Sequence, residues 1–177
     1  ARIFADEIFD TSMRIMYICS ELTVLAELGH TKLVDLASVN LQTSIHNGLR
    51  RFEKEIAAQN IHFDIPEAIP FVCANAMWMD EIMINFVYHL IQANPSLVTF
   101  EATTDQDKLH LQIHHDGTPL SDDEQATLLN SSRPLDKVRA QGQGLGIDIA
   151  VRMIERLGGQ VGLKDGSTFY FVLPLDL

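Results

Sequence analysis

The spacing of apolar residues predicts three long helices in this chain. Apolar positions in residues 3 to 28 recur at intervals of three, four and seven, which predicts one amphipathic helix that ends at Gly29. A second apolar stripe predicts a helix over residues 38 to 59, with Ser38 as its N-cap. A third helix is expected over residues 77 to 93. Each stripe has to be buried, so each helix is expected to pack against another element.

Short apolar and alternating segments predict the strands. They cover residues 61 to 65, 71 to 74, 97 to 103, 108 to 114, 160 to 164 and 167 to 173. Pro66 and Pro70 place the first two at a sheet edge, and the turn Asp105-Gln106-Asp107 joins the middle pair as a hairpin. A further short helix is expected over residues 122 to 129. Another is expected to follow the glycine-rich segment and to end at about Leu157. The element order predicts an α+β fold, a two-layer sandwich with a mixed sheet and helices on one face, preceded by one long helix.

Composition narrows the classes of partner. The chain has 177 residues, enough for one domain and an appendage, and a formal net charge of -11. That charge argues against nonspecific binding to nucleic acid and to anionic membranes. The chain has neither a secretory signal nor an apolar run long enough to span a bilayer, so we expect a cytoplasmic location without direct membrane contact.

The two cysteines and the first residue add two further expectations. Cys19 and Cys73 lie among apolar residues, which fits buried thiols in a reducing compartment. The chain does not begin with methionine, so we expect it to be a fragment of a larger protein, such as the cytoplasmic part of a membrane-bound sensor.

Three alternating glycines, Gly142, Gly144 and Gly146, lead directly into an amphipathic helix. Glycine lets bare backbone N–H groups approach a ligand, and a helix N-terminus favours negative charge, so this segment suits a phosphate. The dinucleotide fingerprint is excluded because Ile147 stands where it needs a glycine. The P-loop is excluded because no Gly-Lys-Ser/Thr triplet occurs in the chain.

Four blocks in a fixed order resemble one known family. They are Asp80-x-x-x-x-Asn85-Phe86-Val87, then residues 113 to 120 followed by Ser121-Asp122-Asp123-Glu124, then Gly142-x-Gly144-Leu145-Gly146-Ile147-x-Ile149, and then Leu157-Gly158-Gly159-x-Val161 with Gly166-Ser167-Thr168-Phe169-x-Phe171-x-Leu173-Pro174. Together these blocks resemble the catalytic ATP-binding domain of sensor histidine kinases, in the ATPase superfamily shared with gyrase, Hsp90 and MutL.

This resemblance implies two domains and a signalling role. Residues 33 to 177 would be the ATP-binding domain, and residues 1 to 30 the C-terminal helix of a dimerisation and phosphotransfer hairpin. A homodimer would form through residues 3 to 28, because their apolar stripe would be buried in a four-helix bundle between two chains. The implied partner is a response regulator or receiver domain. The phosphoacceptor histidine is expected outside this fragment.

The resemblance also implies a nucleotide site, with ATP and Mg²⁺ as its ligands. Its implied residues are Asn85, His89, Gln92, His115, Asp116, Gly117, Gly142, Gly144, Leu145, Gly146 and Ser167. Asn85 is the first N-box residue and the implied catalytic position. His89 stands at the Mg²⁺ position where the family has a second asparagine, and Gln92 replaces a lysine that meets phosphate. Imidazole is a poor ligand for Mg²⁺, so weakened metal-assisted binding is expected.

The first glycine box differs from the family pattern in a similar way. His115 replaces the aspartate that accepts a hydrogen bond from adenine, and Pro119 replaces a glycine that lets the lid move. A neutral imidazole has one acceptor nitrogen and would replace the contact weakly. Asp116 would reach the base instead if the strand slipped by one residue, but a slip would turn every side chain of the strand to the other face. His114 and His115 should face opposite sides of the strand and share no metal.

Three functional hypotheses remain open at this point. The chain is the ATP-binding domain of a working sensor kinase, a related module that binds nucleotide weakly or not at all and serves in docking, or a histidine phosphotransfer protein. Lys137 and Arg139, in the segment between the glycine boxes, would either approach phosphate or remain solvated. The intact glycines favour nucleotide contact, whereas His89 and His115 favour its loss.

Overall fold

The computed structural model describes residues 34–128 and 146–176. The strands are β1 (Ala37–Val39), β2 (His62–Asp64), β3 (Val72–Ala74), β4 (Leu97–Asp105), β5 (Lys108–His115), β6 (Gln160–Lys164) and β7 (Thr168–Pro174). The helices are α1 (Leu41–Arg51), α2 (Glu53–Gln59), α3 (Ala76–Gln92), α4 (Asp122–Leu128) and α5 (Gly146–Arg156).

The main sheet has five strands in the order β2-β4-β5-β7-β6. Strand β2 is parallel to β4, and the other neighbours are antiparallel. Strands β1 and β3 form a separate antiparallel pair. The predicted hairpin is present, because β4 and β5 pair along their length and Gln106 adopts the positive φ of 54° that the tight turn requires.

The helices cover one face of the sheet. On β5 the buried residues alternate with solvent-facing ones, so that Leu109, Leu111 and Ile113 meet the helices while Gln112 and His114 face away. Helix α3 lies against both α1 and α5. This two-layer α+β arrangement with a mixed sheet confirms the predicted fold class.

Helix α1 packs closely on α3 because of Gly48. A Cβ at this position would lie 3.2 Å from the backbone carbonyl group of Met83, which leaves little room for a side chain. Beside this contact the amide Nδ2 of Asn47 donates a hydrogen bond of 3.0 Å to Asp80 Oδ2 on α3. On the side of α3 that faces the sheet, the ring of Phe86 makes edge contacts with the rings of Phe169 and Phe171 on β7. These contacts fix the helix on the sheet.

The predicted helix over residues 38 to 59 is wrong in its boundaries. Ser38 is not the N-cap, because it lies in β1 opposite Cys73. The cap is Asn40, whose side chain accepts a hydrogen bond of 3.3 Å from the N–H of Thr43. The helix is then interrupted at Phe52, where φ is -118° and ψ is 26°, so that two helices replace the single predicted one.

Several predictions fall outside the described residues. They concern the helix and homodimer contact of residues 3 to 28, the domain of residues 1 to 30, Cys19, Lys137, Arg139, Gly142, Gly144 and Leu145. Among the helices of the two described ranges, none combines the length and apolar character that a membrane-spanning segment needs.

Candidate nucleotide-binding site

Helix α3 carries the first group of candidate residues. Its N-cap is Asn75, whose side chain accepts a hydrogen bond of 3.1 Å from the N–H of Trp78. Asn85 and His89 lie one turn apart on this helix and therefore share a face. Gln92, the last residue of α3, is exposed. The helix thus directs Asn85 and His89 inward and leaves Gln92 at the surface.

Asn85 is buried and held by its own helix. Its side chain is 1% exposed, and its amide Nδ2 donates hydrogen bonds to Glu81, at 3.0 Å to the backbone oxygen and 3.4 Å to Oε1. A buried amide needs such partners because burial removes its contacts with water. The position of Asn85 is therefore defined before any ligand arrives.

His89 is an uncharged imidazole packed against an aromatic ring. It lies edge-on to Phe169 of β7, with ring centroids 5.4 Å apart. Burial lowers the pKa of His89 from 6.5 to about 4, a positive charge on His115 would lower it further, and the carboxylate of Glu124 opposes the shift. Its Nε2 atom is buried and has no hydrogen-bond partner among residues 34–128 and 146–176.

His115 ends β5 on the face that meets the helices. Its backbone N–H donates a hydrogen bond of 3.1 Å to the oxygen of Ser167, and its side chain is 1% exposed. Neither ring nitrogen has a hydrogen-bond partner within the part of the chain that the structure describes. Burial lowers the pKa of His115, a positive charge on His114 would lower it further, and Asp116 opposes the shift. His114 faces away and contacts Thr168 with its Nδ1, 2.9 Å from Oγ1.

Asp116 is hydrogen-bonded to the backbone at the start of β4, and its implied contact with a nucleotide stays a prediction. Its Oδ1 accepts hydrogen bonds from the backbone N–H groups of Ser96, at 2.7 Å, and Leu97, at 2.9 Å. These bonds lower the pKa of the Asp116 carboxyl group, the bond from Leu97 most strongly. The strand has not slipped by one residue, because His115 is the residue that faces inward. Asp116 instead holds the connection between α3 and β4.

Gly117 joins the first glycine box to the end of α3. A Cβ at Gly117 would collide with the carbonyl oxygen of Ala93 and lie 2.9 Å from its carbonyl carbon. The N–H of Thr118 donates a hydrogen bond of 2.8 Å to the same oxygen. Only a residue without a side chain permits this close approach of two backbones. The contact keeps His115 and His89 at a defined separation, because it ties their two elements together.

Ser167 belongs to the turn between β6 and β7. Its backbone oxygen accepts the bond from His115, and its N–H donates a bond of 3.3 Å to Lys164. Gly166 has a φ of 67°, and its oxygen accepts a hydrogen bond of 3.0 Å from Leu120. Ser167 therefore lies beside His115 through a backbone contact, and its implied contact with a nucleotide stays a prediction.

Two acidic residues outside the predicted set lie near predicted site residues. Glu124 follows Ser121 in a capping box, with Ser121 Oγ 2.6 Å from Glu124 Oε2, and it is close enough to His89 to affect the pKa of that ring. The Ser-x-x-Glu pattern is the sequence signal that identifies Glu124. Asp148, in the first turn of α5, is 6% exposed and accepts a hydrogen bond of 2.9 Å from Arg152 Nε. It adds negative charge near Gly146, which begins α5.

The described residues do not fit Mg²⁺ well. Mg²⁺ prefers oxygen ligands in octahedral geometry, whereas the implied metal position holds the imidazole of His89. Within residues 34–128 and 146–176, no group of three or more His, Cys, Asp and Glu side chains is arranged to hold a metal ion. The implied metal position therefore differs in its side chain from the family pattern, and weakened Mg²⁺ binding stays a prediction.

Comparison with known proteins establishes the family. The model of the family described as "Histidine kinase-, DNA gyrase B-, and HSP90-like ATPase" matches residues 74–177. The chain belongs to this family. Its curated relatives are sensor histidine kinases, and the solved structures with which it shares this fold are histidine kinase catalytic domains.

Relatives and solved structures agree with this assignment. The sensor histidine kinase ZraS of Escherichia coli (strain K12) is 22% identical over 172 residues, which cover 93% of this chain and 36% of ZraS. The chain therefore spans about a third of that relative. The nucleotide-free catalytic domain of histidine kinase ThkA matches with a TM-score of 0.65 and 24% identity, covering 80% of this chain and 97% of that domain. ThkA in complex with the response regulator TrrA matches with a TM-score of 0.71 and 19% identity. The match covers 98% of this chain and 51% of the ThkA chain.

Proposed function

We propose that this chain is the nucleotide-binding domain of a sensor histidine kinase and that it binds ATP and ADP weakly, with little help from Mg²⁺. The observation that carries this proposal is the placement of His89 and His115. His115 is buried, His89 is half-buried with a buried Nε2 atom, and burial lowers the pKa of both rings so that they are uncharged at neutral pH. They occupy the positions where the resemblance implies a metal ligand and a base contact. Family membership supports nucleotide binding, and the two imidazoles support its alteration.

The retained parts of the site support the binding of a nucleotide rather than its complete loss. Asn85 remains inside the site, and Gly146 begins α5 directly after the predicted phosphate-binding glycines. A helix N-terminus stabilises an anion through its free N–H groups and its dipole. In this proposal the α5 N-terminus holds phosphate, and the resemblance gives Asn85 the catalytic position. The phosphoryl group would pass to a histidine on a helix outside the described residues.

Two further proposals concern assembly, one supported by a relative and one by the sequence. ThkA is a histidine kinase seen with its response regulator TrrA, which supports a response regulator or receiver domain as the partner of this protein. The apolar stripe of residues 3 to 28 supports a homodimer, because a helix with such a stripe has to bury it. Both proposals concern the larger protein of which this chain is a domain.

The test is calorimetric titration of ADP and ATP, with and without Mg²⁺, against the wild type and His89→Asn. In the wild type we expect Mg²⁺ to change the nucleotide affinity by less than about threefold, because imidazole replaces an oxygen ligand. In His89→Asn, which restores an amide oxygen, we expect a gain of about tenfold or more that depends on Mg²⁺.

His46→Asn is the matched control, because His46 is an exposed histidine on α1 whose Nδ1 contacts the oxygen of Gln42. It should leave the effect of Mg²⁺ unchanged. A strong effect of Mg²⁺ in the wild type would contradict the altered metal site. Absence of any nucleotide binding in both the wild type and His89→Asn would contradict nucleotide binding itself.

A further inference from the structure

The small sheet of β1 and β3 exposes one of its two faces in the part of the chain that the structure describes. Its inner face belongs to the core, because Val39, Val72 and Ala74 are buried. Ser38 and Cys73 lie directly opposite each other and alternate with these buried residues along their strands. They therefore belong to the outer face, where Ser38 is exposed and Cys73 is half-buried.

Three large apolar side chains, which we call the apolar patch, lie on or beside this outer face. Leu36 directly precedes β1 and Phe71 directly precedes β3, each at the alternate position that shares the outer face. Met77 is the second residue of α3, which is tied to the same place because Asn75 Nδ2 donates a hydrogen bond of 3.1 Å to the backbone oxygen of Asp35. All three apolar side chains are at least half exposed. Apolar side chains grouped in this way are typical of an interaction surface.

The segment that precedes β1 is tethered close to the apolar patch. The sequence predicts that the N-terminal helix ends at Gly29, and residues 29 to 33 then lead to Val34. The six residue steps from Leu28 to Val34 span at most about 21 Å, at about 3.5 Å per step. Val34 packs against the core, two residues before Leu36. The end of the predicted helix is therefore held near the patch by the chain itself.

The predicted N-terminal helix carries a second set of apolar residues beside the stripe that the homodimer would bury. That stripe includes Leu22 and Leu25. Tyr17, Val24 and Leu28 recur at spacings of seven and four, so they lie together on a neighbouring flank of the helix, which we call the second flank. A dimer formed through the stripe leaves the second flank uncovered, and an apolar flank is stabilised by burial.

The second flank matches the outer face in spacing and direction. A helix that ends beside Leu36 and runs antiparallel to β1 advances about 6 Å between Leu28 and Val24, and two residues of a strand advance about 7 Å. When Leu28 lies over Leu36, Val24 therefore lies over Ser38 and Cys73. The connection of five residues has the ordinary length for a helix that turns back along a strand.

We propose that the second flank of the N-terminal helix docks on the apolar patch of its own chain. Leu28 then covers Leu36 and Met77, and Val24 covers Cys73. Burial of apolar surface drives the contact, and the short tether gives the two surfaces a high effective concentration. The docked helix has a fixed orientation on the domain. This inference goes beyond the proposed function and does not depend on nucleotide binding.

Chemical cross-linking to Cys73 tests the docking in the full 177-residue chain. In the variant Cys19→Ser with Val24→Cys, we expect a short bifunctional maleimide to join positions 24 and 73 within one chain. Thr23→Cys in place of Val24→Cys is the matched control, because position 23 lies about 100° around the helix and faces away from the outer face. The yield at position 24 should be at least about tenfold higher. Equal yields at positions 23 and 24, or a product that joins two chains, would overturn the proposal.

The rate at which a thiol reagent modifies Cys73 gives a second measurement. In the full chain with Cys19→Ser, Cys73 is the single thiol, and the docked helix should make its reaction slow. Adding Val24→Asp and Leu28→Asp places two carboxylates against the patch, which opposes docking, so the rate should rise about tenfold or more. Adding Thr23→Asp instead should leave the rate unchanged. The same rate with and without the two carboxylates would contradict the docking.

Discussion

The imidazole ring of His89 stands almost perpendicular to the phenyl ring of Phe169, at an interplanar angle of 87°. This packing removes one side of the imidazole from water, and the remaining burial keeps its charged form unfavourable. The same contact that positions His89 in the candidate site therefore makes folding sensitive to pH. This pH dependence of stability can be measured without any ligand.

We expect the free energy of unfolding to fall as the pH is lowered from 7.5 to 5.0. The unfolded chain takes up a proton at His89 near pH 6.5, whereas the folded protein takes it up only near pH 4. Stability is therefore complete above the unfolded pKa and is lost as the pH falls towards the folded pKa. The expected loss from His89 by pH 5.0 is about 2 kcal/mol.

Urea unfolding at the two pH values measures this loss. His89→Leu should lose clearly less stability between pH 7.5 and 5.0 than the wild type, while His46→Leu, which changes an exposed histidine, should behave like the wild type. Equal losses in His89→Leu and the wild type would show that His89 is not the group responsible.

Gly117→Ala should destabilise the domain. Its methyl group would collide with the carbonyl oxygen of Ala93 and would force α3 and the end of β5 apart. Overpacking of this kind costs roughly 1–3 kcal/mol. Thermal and urea unfolding measure the change, and Thr118→Ala, at an exposed neighbouring position, should lie within about 0.5 kcal/mol of the wild type. A Gly117→Ala protein as stable as the wild type would contradict the close backbone contact.

Asp116→Ala should lower stability and leave nucleotide binding nearly unchanged. It removes the acceptor for two exposed backbone N–H groups at the start of β4, whereas the nucleotide contact is expected at the inward-facing His115. Calorimetry should find ADP affinity within about threefold of the wild type. Glu101→Ala, an exposed carboxylate on β4, is the control for loss of charge. A large loss of ADP affinity in folded Asp116→Ala would instead favour the slipped-strand hypothesis.

The full 177-residue chain should be a dimer, and a chain of residues 34 to 177 should be a monomer. The reason is the apolar stripe of residues 3 to 28, whose burial drives association of helices. Sedimentation equilibrium over a range of concentrations distinguishes the two states. A full chain that remains monomeric at high concentration would contradict the proposed homodimer.

Local sequence patterns predicted most elements of the fold well. The β4–β5 hairpin follows from strict alternation around a turn, and α3 follows from an apolar run that begins after Asn75. The errors occurred where local and tertiary preferences compete. Ser38 is a good N-cap, yet pairing with β3 draws it into a strand, and the apolar stripe of the second helix does not reveal the break at Phe52.

The sequence by itself determined the family, the α+β class and the order of the elements, because glycine motifs and apolar periodicity are local properties. It also identified His89 and His115 as the positions that depart from the family pattern. Only the tertiary structure decided that the Nε2 atom of His89 and both ring nitrogens of His115 are buried without a hydrogen-bond partner among the described residues, that Asp116 accepts hydrogen bonds at the start of β4, and that Glu124 lies near His89. Burial and electrostatic environment depend on residues that are distant in the chain, so they become defined only when α3, β5 and β7 pack together.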